Sequence, residues 1–397
     1  MSAIAMAASP SSLAGGAVAP RRRAPGGVLA LCALLAIALS AAMPLLADAP
    51  GALVLDAAQQ PRALAALGLL LLAAVRLLWP SGRWMTYGLT LLALSAGLLW
   101  LGVPPALGDV QAGSGFWLGC VALGLIGLLT VHRCAHLDGS RLDAQSAAAV
   151  LGLWALLFWQ LGVTAFDVPR VILPAPQWVL ASLVERAGTL VQDAMQTLVR
   201  EALTGWLIGC GLGFGVALAI DRHSFLQRGL LPIASMTSAV PLVGVAPIAV
   251  MWFGFGWESK AAVVALMTFF PMLVSTLAGL RAAGTLEAEL MQTYGASHRQ
   301  TLWLLKLPSA VPQMITALKI NATLALIGAI VAEFFGSPTV GLGFRISTEA
   351  ARMNMGLVWA AITAASVAGS VAYAALVLLE RRAAFWHPSV RSAAGIS

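Results

Sequence analysis

The sequence predicts an all-α polytopic membrane protein of about ten transmembrane helices. Three observations carry that reading. Of its 397 residues, 60% are hydrophobic and only 10% are charged, and the mean hydropathy is +0.89. A water-soluble domain carries about 25% charged residues, so this chain cannot cover a water-facing surface. The apolar stretches are continuous, not alternating, which counts against a β-barrel. The 39 Gly and 20 Pro are scattered without period, which excludes a collagen-like chain. Of the four cysteines, Cys32, Cys120 and Cys210 lie in apolar runs and Cys134 follows one, so no disulfide framework is implied.

A bilayer core needs about 20 apolar residues per crossing. Ten runs approach that length: 28–47, 63–79, 84–102, 115–131, 147–166, 201–220, 232–253, 260–280, 313–334 and 356–379. The second and fourth are short, and Arg76 near the end of the second reaches the interface by snorkelling. The first run also fits a signal peptide, with Arg21–Arg23 before it and Ala47-Asp48-Ala49 as the cleavage position. Its length and Pro50 directly after that position favour an uncleaved span, and later topology is the same either way. With a cytoplasmic N-terminus, 15 Lys and Arg fall inside and 6 outside, Arg200 and Lys319 lying at or within spans. The positive-inside rule then gives N-in, C-in. The expected organisation is a disordered cytoplasmic tail at 1–27, a four-span extension at 28–146, a six-span core at 147–388 and a tail at 389–397.

Missing motifs narrow the chemistry. The three lysines follow Ser259, Leu305 and Leu318, so no Gly-Lys phosphate loop exists to bind ATP. H-E-x-x-H and G-x-S-x-G are absent, and no catalytic residue is predicted. No run of carboxylates inside spans suggests a proton relay, which weighs against the alternative reading, an ion-gradient-driven secondary transporter. His132, Cys134 and His136 would share one side of an extended segment, but a closed zinc site wants four ligands, so a short loop anchored by Arg133 is the simpler reading. No metal, cofactor or nucleic-acid partner is expected.

Residues 281–312 form the most polar cytoplasmic segment. Thr285 is placed to cap a helix with Glu287 and Glu289 in its first turns. Gly295-Ala296-Ser297 breaks that helix, and a second amphipathic piece with Leu302 and Leu305 runs to Pro308, which stops it. The product is a helix–turn–helix with a small tip, suited either to insertion in a partner's groove or to service as an ordinary connector.

The residue pattern resembles the EAA loop of binding-protein-dependent ABC importer permeases: Glu-Ala-Ala, three residues, Gly, nine residues, Ile, one residue, Leu-Pro. Glu289, Gly295, Leu307 and Pro308 stand at the required spacings, with Leu305 at the Ile position and Leu290 and Met291 replacing the two Ala. Further segments are similar to the branch serving nitrate, taurine and alkanesulfonates. In order they are Ile172-Leu173-Pro174-Ala175-Pro176, Ala246-Pro247, Trp252-Phe253-Gly254-Phe255-Gly256, Ser259-Lys260, Phe269-Phe270-Pro271, Gly279-Leu280, Val331-Ala332-Glu333 and Gly341-Leu342-Gly343. The resemblance covers about residues 147–388. It implies a bacterial inner-membrane permease, acting as a homodimer in lipid, with no ATPase activity of its own. Separate ATPase subunits bind ATP, and a solute-binding protein delivers the solute. Glu289, Gly295, Ala296 and Ser297 would dock on the ATPase, with Leu307 and Pro308 as the loop's second anchor. The solute implied is a small anion such as a sulfonate or nitrate, with pyrimidine-type vitamin precursors as another class.

Pro241, Gly244 and Pro247 mark the seventh run as pathway-lining, because two prolines free backbone carbonyls that protein or a cavity can satisfy; the alternative is a kinked packing helix. Thr316, Lys319 and Thr323 share a face of the ninth run, with Asn321 nearly opposite. Lys319 either snorkels to the cytoplasm or lines the pathway, where it would favour an anion. Pro271 and Pro308 are candidate attachments of the loop, Glu333 is expected at the interface, and Gly209, Gly211, Gly213 and Gly215 allow close helix packing.

Overall fold

The structure, a computed structural model, describes residues 25–43, 46–48, 61–79, 82–102, 110–136, 141–222, 242–336 and 339–383. Pro241, residues 232–240 of the seventh run, and both terminal tails apart from residues 25–27 lie outside the described residues. The chain divides into two compact units, Met1–Val168 and Pro169–Ser397.

The first unit holds α1 (Pro25–Ala42), α2 (Pro61–Arg76), α3 (Arg83–Trp100), α4 (Ser114–Ala135) and α5 (Arg141–Ala165). The first predicted run ends early, at Ala42, and Leu46–Asp48 (β1) pairs antiparallel with Val110–Ala112 (β2). Apart from this small ribbon the regular structure of the described residues is helical, as the sequence predicts. Alanine and glycine let the helices close in: Ala30, Ala33, Ala63, Ala66, Ala93 and Ala96 are fully buried, and Gly127 of α4 sits under the Trp154 ring of α5. Helix α5, expected with the core, belongs to this unit: its Val150, Trp154, Leu157 and Leu161 share one apolar cluster with α1–α4. The segment around His132 is helical, not extended. Cys134 therefore turns inward, 3.9 Å from Thr90 Oγ1, while His136 bonds back to the His132 carbonyl one turn earlier.

The second unit holds α6 (Pro176–Glu185), α7 (Ala187–Met195), α8 (Thr204–Arg222), α9 (Leu242–Phe253), α10 (Trp257–Arg281), α11 (Thr285–Thr293), α12 (His298–Thr301), α13 (Leu307–Gly336), α14 (Leu342–Ala351) and α15 (Met355–Ala383). Pro176 opens α6 at its first turn, where a missing N–H costs nothing. Helix α10 lies between α8 and α13. Only part of the glycine run serves that contact. Gly209 and Gly213 face α10, where an added Cβ would meet Ala265 and Phe269 backbone atoms, whereas Gly211 and Gly215 face open space. Spacing of four, not two, returns to the same helix face; Gly205, one turn earlier, packs against Val264 and Ala261.

Six helical stretches among the described residues are long and apolar enough to cross a membrane: Ser114–Ala135, Ser146–Ala165, Ala187–Arg222, Trp257–Arg281, His298–Gly336 and Met355–Ala383. Val28–Ala42 and Gly244–Phe253 are shorter apolar helices. Two crossings contain π-helical turns, Gln196–Leu203 between α7 and α8, and Leu302–Lys306 between α12 and α13. The second absorbs Pro308. The proline does not stop the helix; it becomes the second residue of α13, and Ser309 Oγ donates to the Leu305 carbonyl at 2.8 Å. A widened turn makes room for a ring that would clash in regular α-helix.

Candidate functional site: a helical hairpin, a polar clamp and a membrane cavity

The segment 285–306 is a hairpin at one end of the second unit. Gly284, not Thr285, is the N-cap of α11. The helix ends in a Schellman turn: Gly295 N–H donates to the Gln292 carbonyl and Ala296 N–H to Met291, both at 2.9 Å. That closure needs a left-handed residue, and Gly295 has φ +70°. Ser297 then caps α12 in a reciprocal box with Gln300, whose side-chain Oε1 accepts from Ser297 N–H at 2.7 Å. Gly295, Ala296 and Ser297 thus form the tip and Glu289 stands on α11 more than one turn before it, whereas Leu307 and Pro308 lie half-buried at the hairpin's base. Lys306 fixes the base by an ion pair with Asp221 of α8 at 2.9 Å.

The hairpin also displays an exposed apolar face that the sequence reading did not single out. Leu286, Leu290 and Tyr294 recur every four residues and are 77%, 56% and 81% exposed. Trp303 and Leu304 are exposed nearby. A polar segment with such a stripe carries a surface for a partner.

At the far end of α13 four separate parts of the chain meet in a buried polar clamp. Glu333, expected at the interface, is 1% exposed. Its Oε1 accepts from Thr197 Oγ1 at 2.7 Å, and its Oε2 from the Gly343 and Phe344 N–H groups at 2.5 and 3.4 Å. The carboxylate caps the N-terminus of α14, where unpaired N–H groups and the helix dipole favour negative charge. Asp193 accepts from Gly341 N–H at 3.0 Å and pairs with Arg345 at 2.8 Å. That hydrogen bond holds the Arg345 guanidinium above its ordinary range, against the opposing effect of burial. Glu201 lies against Glu333. Gln196 donates to Glu201 Oε1, and Glu201 Oε2 is buried with no hydrogen-bond partner among the described residues.

Lys260, the first residue of the eighth apolar run, is 1% exposed in the first turn of α10. Its ammonium donates to the Phe255 and Gly256 carbonyls at 2.7 and 3.0 Å and to the Gly336 carbonyl. Ser259 also donates to Gly256, and Gly254 makes the turn at φ +79°. Four short segments noted in the sequence, Gly254-Phe255-Gly256, Ser259-Lys260, the end of Val331-Ala332-Glu333, and Gly341-Leu342-Gly343, therefore serve one construction. Three further members, Asp193, Thr197 and Glu201, escaped notice, although their spacing of four places them on one helix face.

Between hairpin and clamp lies an open cavity of about 340 Å³ on the helix surface, lined by Thr316, Lys319, Ile320, Thr323 and Leu324 of α13 and Tyr373 of α15, of which Thr316, Ile320, Thr323 and Tyr373 are exposed. Lys319 Nζ pairs with Glu380 of α15 at 2.8 Å. Asn321 points the other way, fully buried, donating to the Thr268 carbonyl at 2.8 Å and to Cys210 Sγ. Gly244 and Pro247 are exposed on α9 and do not line this cavity.

Residues 211–385 match the family described as "binding-protein-dependent transport system inner membrane component". A probable ABC transporter permease of Haemophilus influenzae is 34% identical over 207 residues, 52% of this chain and 84% of the relative. This chain belongs to that permease family. A riboflavin transport system permease of Chloroflexus aurantiacus is 31% identical over 59% of this chain and 87% of its own length. The taurine transport system permease of Escherichia coli is 30% identical over 59% and 88%. The permease is a multi-pass inner-membrane protein, a transport component and not an enzyme by family.

Proposed function

We propose that this permease forms the translocation pathway of an ATP-driven importer and takes its power stroke through the 285–306 hairpin. The observation that carries the coupling is the exposed apolar stripe Leu286–Leu290–Tyr294 on a hairpin tied at its base to two crossings. Two copies enclose the path in lipid, ATPase subunits bind and hydrolyse ATP beneath them, and a solute-binding protein delivers the solute from the other side. The hairpin is cytoplasmic and the clamp faces outward, in the ten-crossing, N-in and C-in topology that the distribution of Lys and Arg supports. Glu289, Gly295, Ala296 and Ser297 meet the ATPase groove, and Leu307 and Pro308 pass its movement into α13. The faces bearing Pro241, Gly244 and Pro247, and Thr316, Lys319 and Thr323, line the path. The solute is a small organic or inorganic anion of the sulfonate or nitrate kind, a reading supported by the taurine relative. An ion-gradient-driven carrier fits less well, because Glu333 and Asp193 are occupied in fastening α14.

The test is co-purification with a co-expressed ABC ATPase subunit. Gly295 faces open space, so a Trp side chain meets no neighbour in its own chain, and the backbone strain of any side chain at φ +70° is controlled by Gly295→Ala. The variant is expected to insert normally but lose the ATPase. Gly295→Ala, with the same backbone strain and little bulk, is expected to keep it. Full recovery of the complex with Gly295→Trp would place the docking surface elsewhere.

A further inference from the structure

The Lys319 cavity carries a more specific reading, one that rests on the pathway role just given to that face. A lysine well inside a bilayer costs about 2.5–3.5 kcal/mol on insertion scales, and here it is paired, not solitary. Lys319 and Glu380 side chains keep 15% and 20% exposure and lie on two different helices. The pair is therefore accessible and separable, unlike the sealed clamp. Around it the wall supplies hydroxyls. Thr316 donates to the Pro312 carbonyl, whereas no hydrogen bond commits the Thr323 and Tyr373 hydroxyls among the described residues. A cavity of about 340 Å³ is within the range of small-molecule sites. One ammonium with free hydroxyl donors beside it is a receptor for a singly charged oxyanion, and the carboxylate of Glu380 has the shape and charge of that ligand.

We propose that the cavity is an anion site of the conduit and that Glu380 is its resident counter-ion, displaced from Lys319 when a sulfonate-class anion passes. The exchange keeps the lysine neutralised in both states. It avoids the penalty of a bare buried charge between solutes, and it keeps the anion from binding too tightly to leave. A neutral solute would meet the hydroxyls but could not displace Glu380.

The test uses the full-length chain in lipid nanodiscs with Cys32, the exposed native thiol, changed to Ala and Thr323→Cys added. Thr323 stands one helical turn from Lys319. Two thiol reagents of similar size are compared, the anionic 2-sulfonatoethyl and the cationic 2-(trimethylammonium)ethyl methanethiosulfonate. Glu380→Gln is expected to raise the anionic-to-cationic rate ratio by about tenfold, and Lys319→Gln to lower it by about tenfold. The ratio cancels changes in thiolate fraction that affect both reagents. Ethanesulfonate is expected to slow labelling in the Glu380→Gln background and to lose that effect in Lys319→Gln. Thr316→Cys provides a second reporter should Thr323→Cys not fold. If neither reporter is labelled, the pathway reading fails and the anion site with it. If both reagents label the cysteine but the ratio ignores Glu380→Gln and ethanesulfonate gives no protection, the pathway stands and the counter-ion proposal is overturned.

Discussion

Replacing Glu333 by alanine removes the acceptor for three donors at once: Thr197 Oγ1 at 2.7 Å, Gly343 N at 2.5 Å and Phe344 N at 3.4 Å. The last is long, so two strong bonds decide the magnitude. Hydrogen bonds to a charged group contribute about 1.5–3 kcal/mol each, and a buried donor left without a partner costs about 1–3 kcal/mol. Burial leaves no water to replace the carboxylate. The expected loss is about 3–5 kcal/mol, comparable to breaking other buried charged networks. For a domain of 150–250 residues this lowers the thermal midpoint by about 6–20 °C. Unfolding followed with a thiol-reactive dye in detergent, in a Cys32→Ala, Cys120→Ala background, would report it, since Cys210 of the same unit is buried until the fold opens. Thr197→Val should cost about 1–2 kcal/mol alone, and the double variant should lose less than the sum by about 1 kcal/mol, because the two side chains share a bond. A Glu333→Ala midpoint within 2 °C of the parent, or strict additivity with Thr197→Val, would refute the clamp as an energetic unit.

Two further outcomes follow from the packing. Gly209→Leu should destabilise by more than about 3 kcal/mol, because its side chain would enter the α10 backbone, while Gly211→Leu on the open face should stay within about 0.5 kcal/mol; equal midpoints for the two would refute the assigned face. The Lys306–Asp221 pair is 24% and 12% exposed, so Lys306→Gln should cost about 1 kcal/mol or less in the isolated permease. It should nevertheless reduce ATP-coupled uptake if the hairpin base must stay rigid; normal uptake would remove the pair from the coupling path.

The chain's helical character was legible because apolar length is a local property. The hairpin break was legible too, since Gly-Ala-Ser between amphipathic runs has few other conformations. The face of Thr316, Lys319 and Thr323, with Asn321 opposite, followed from helical period alone. What escaped is non-local. Nothing near Lys260 in sequence reveals that the Gly336 carbonyl, 76 residues on, will close over it. Glu333 near the end of an apolar run looks like an interfacial residue until Thr197, 136 positions earlier, is brought beside it. The Pro308 error came from assuming regular α-geometry; a π turn changes what a proline does. The short β1–β2 ribbon left no periodic signal because three residues per strand are too few to alternate.

The helix that begins at His298 is unbroken to Gly336, 39 residues in all. At 1.5 Å per residue it is a beam about 58 Å long, with the hairpin at one end and Glu333 near the other. Swung by about 10° around its middle, such a beam would shift each tip by about 5 Å in opposite directions. A see-saw of this kind delivers the same work whichever end is pressed. If the hairpin docks on an ATPase as proposed, whatever settles on the clamp side weighs on that docking as strongly as the docking weighs on it.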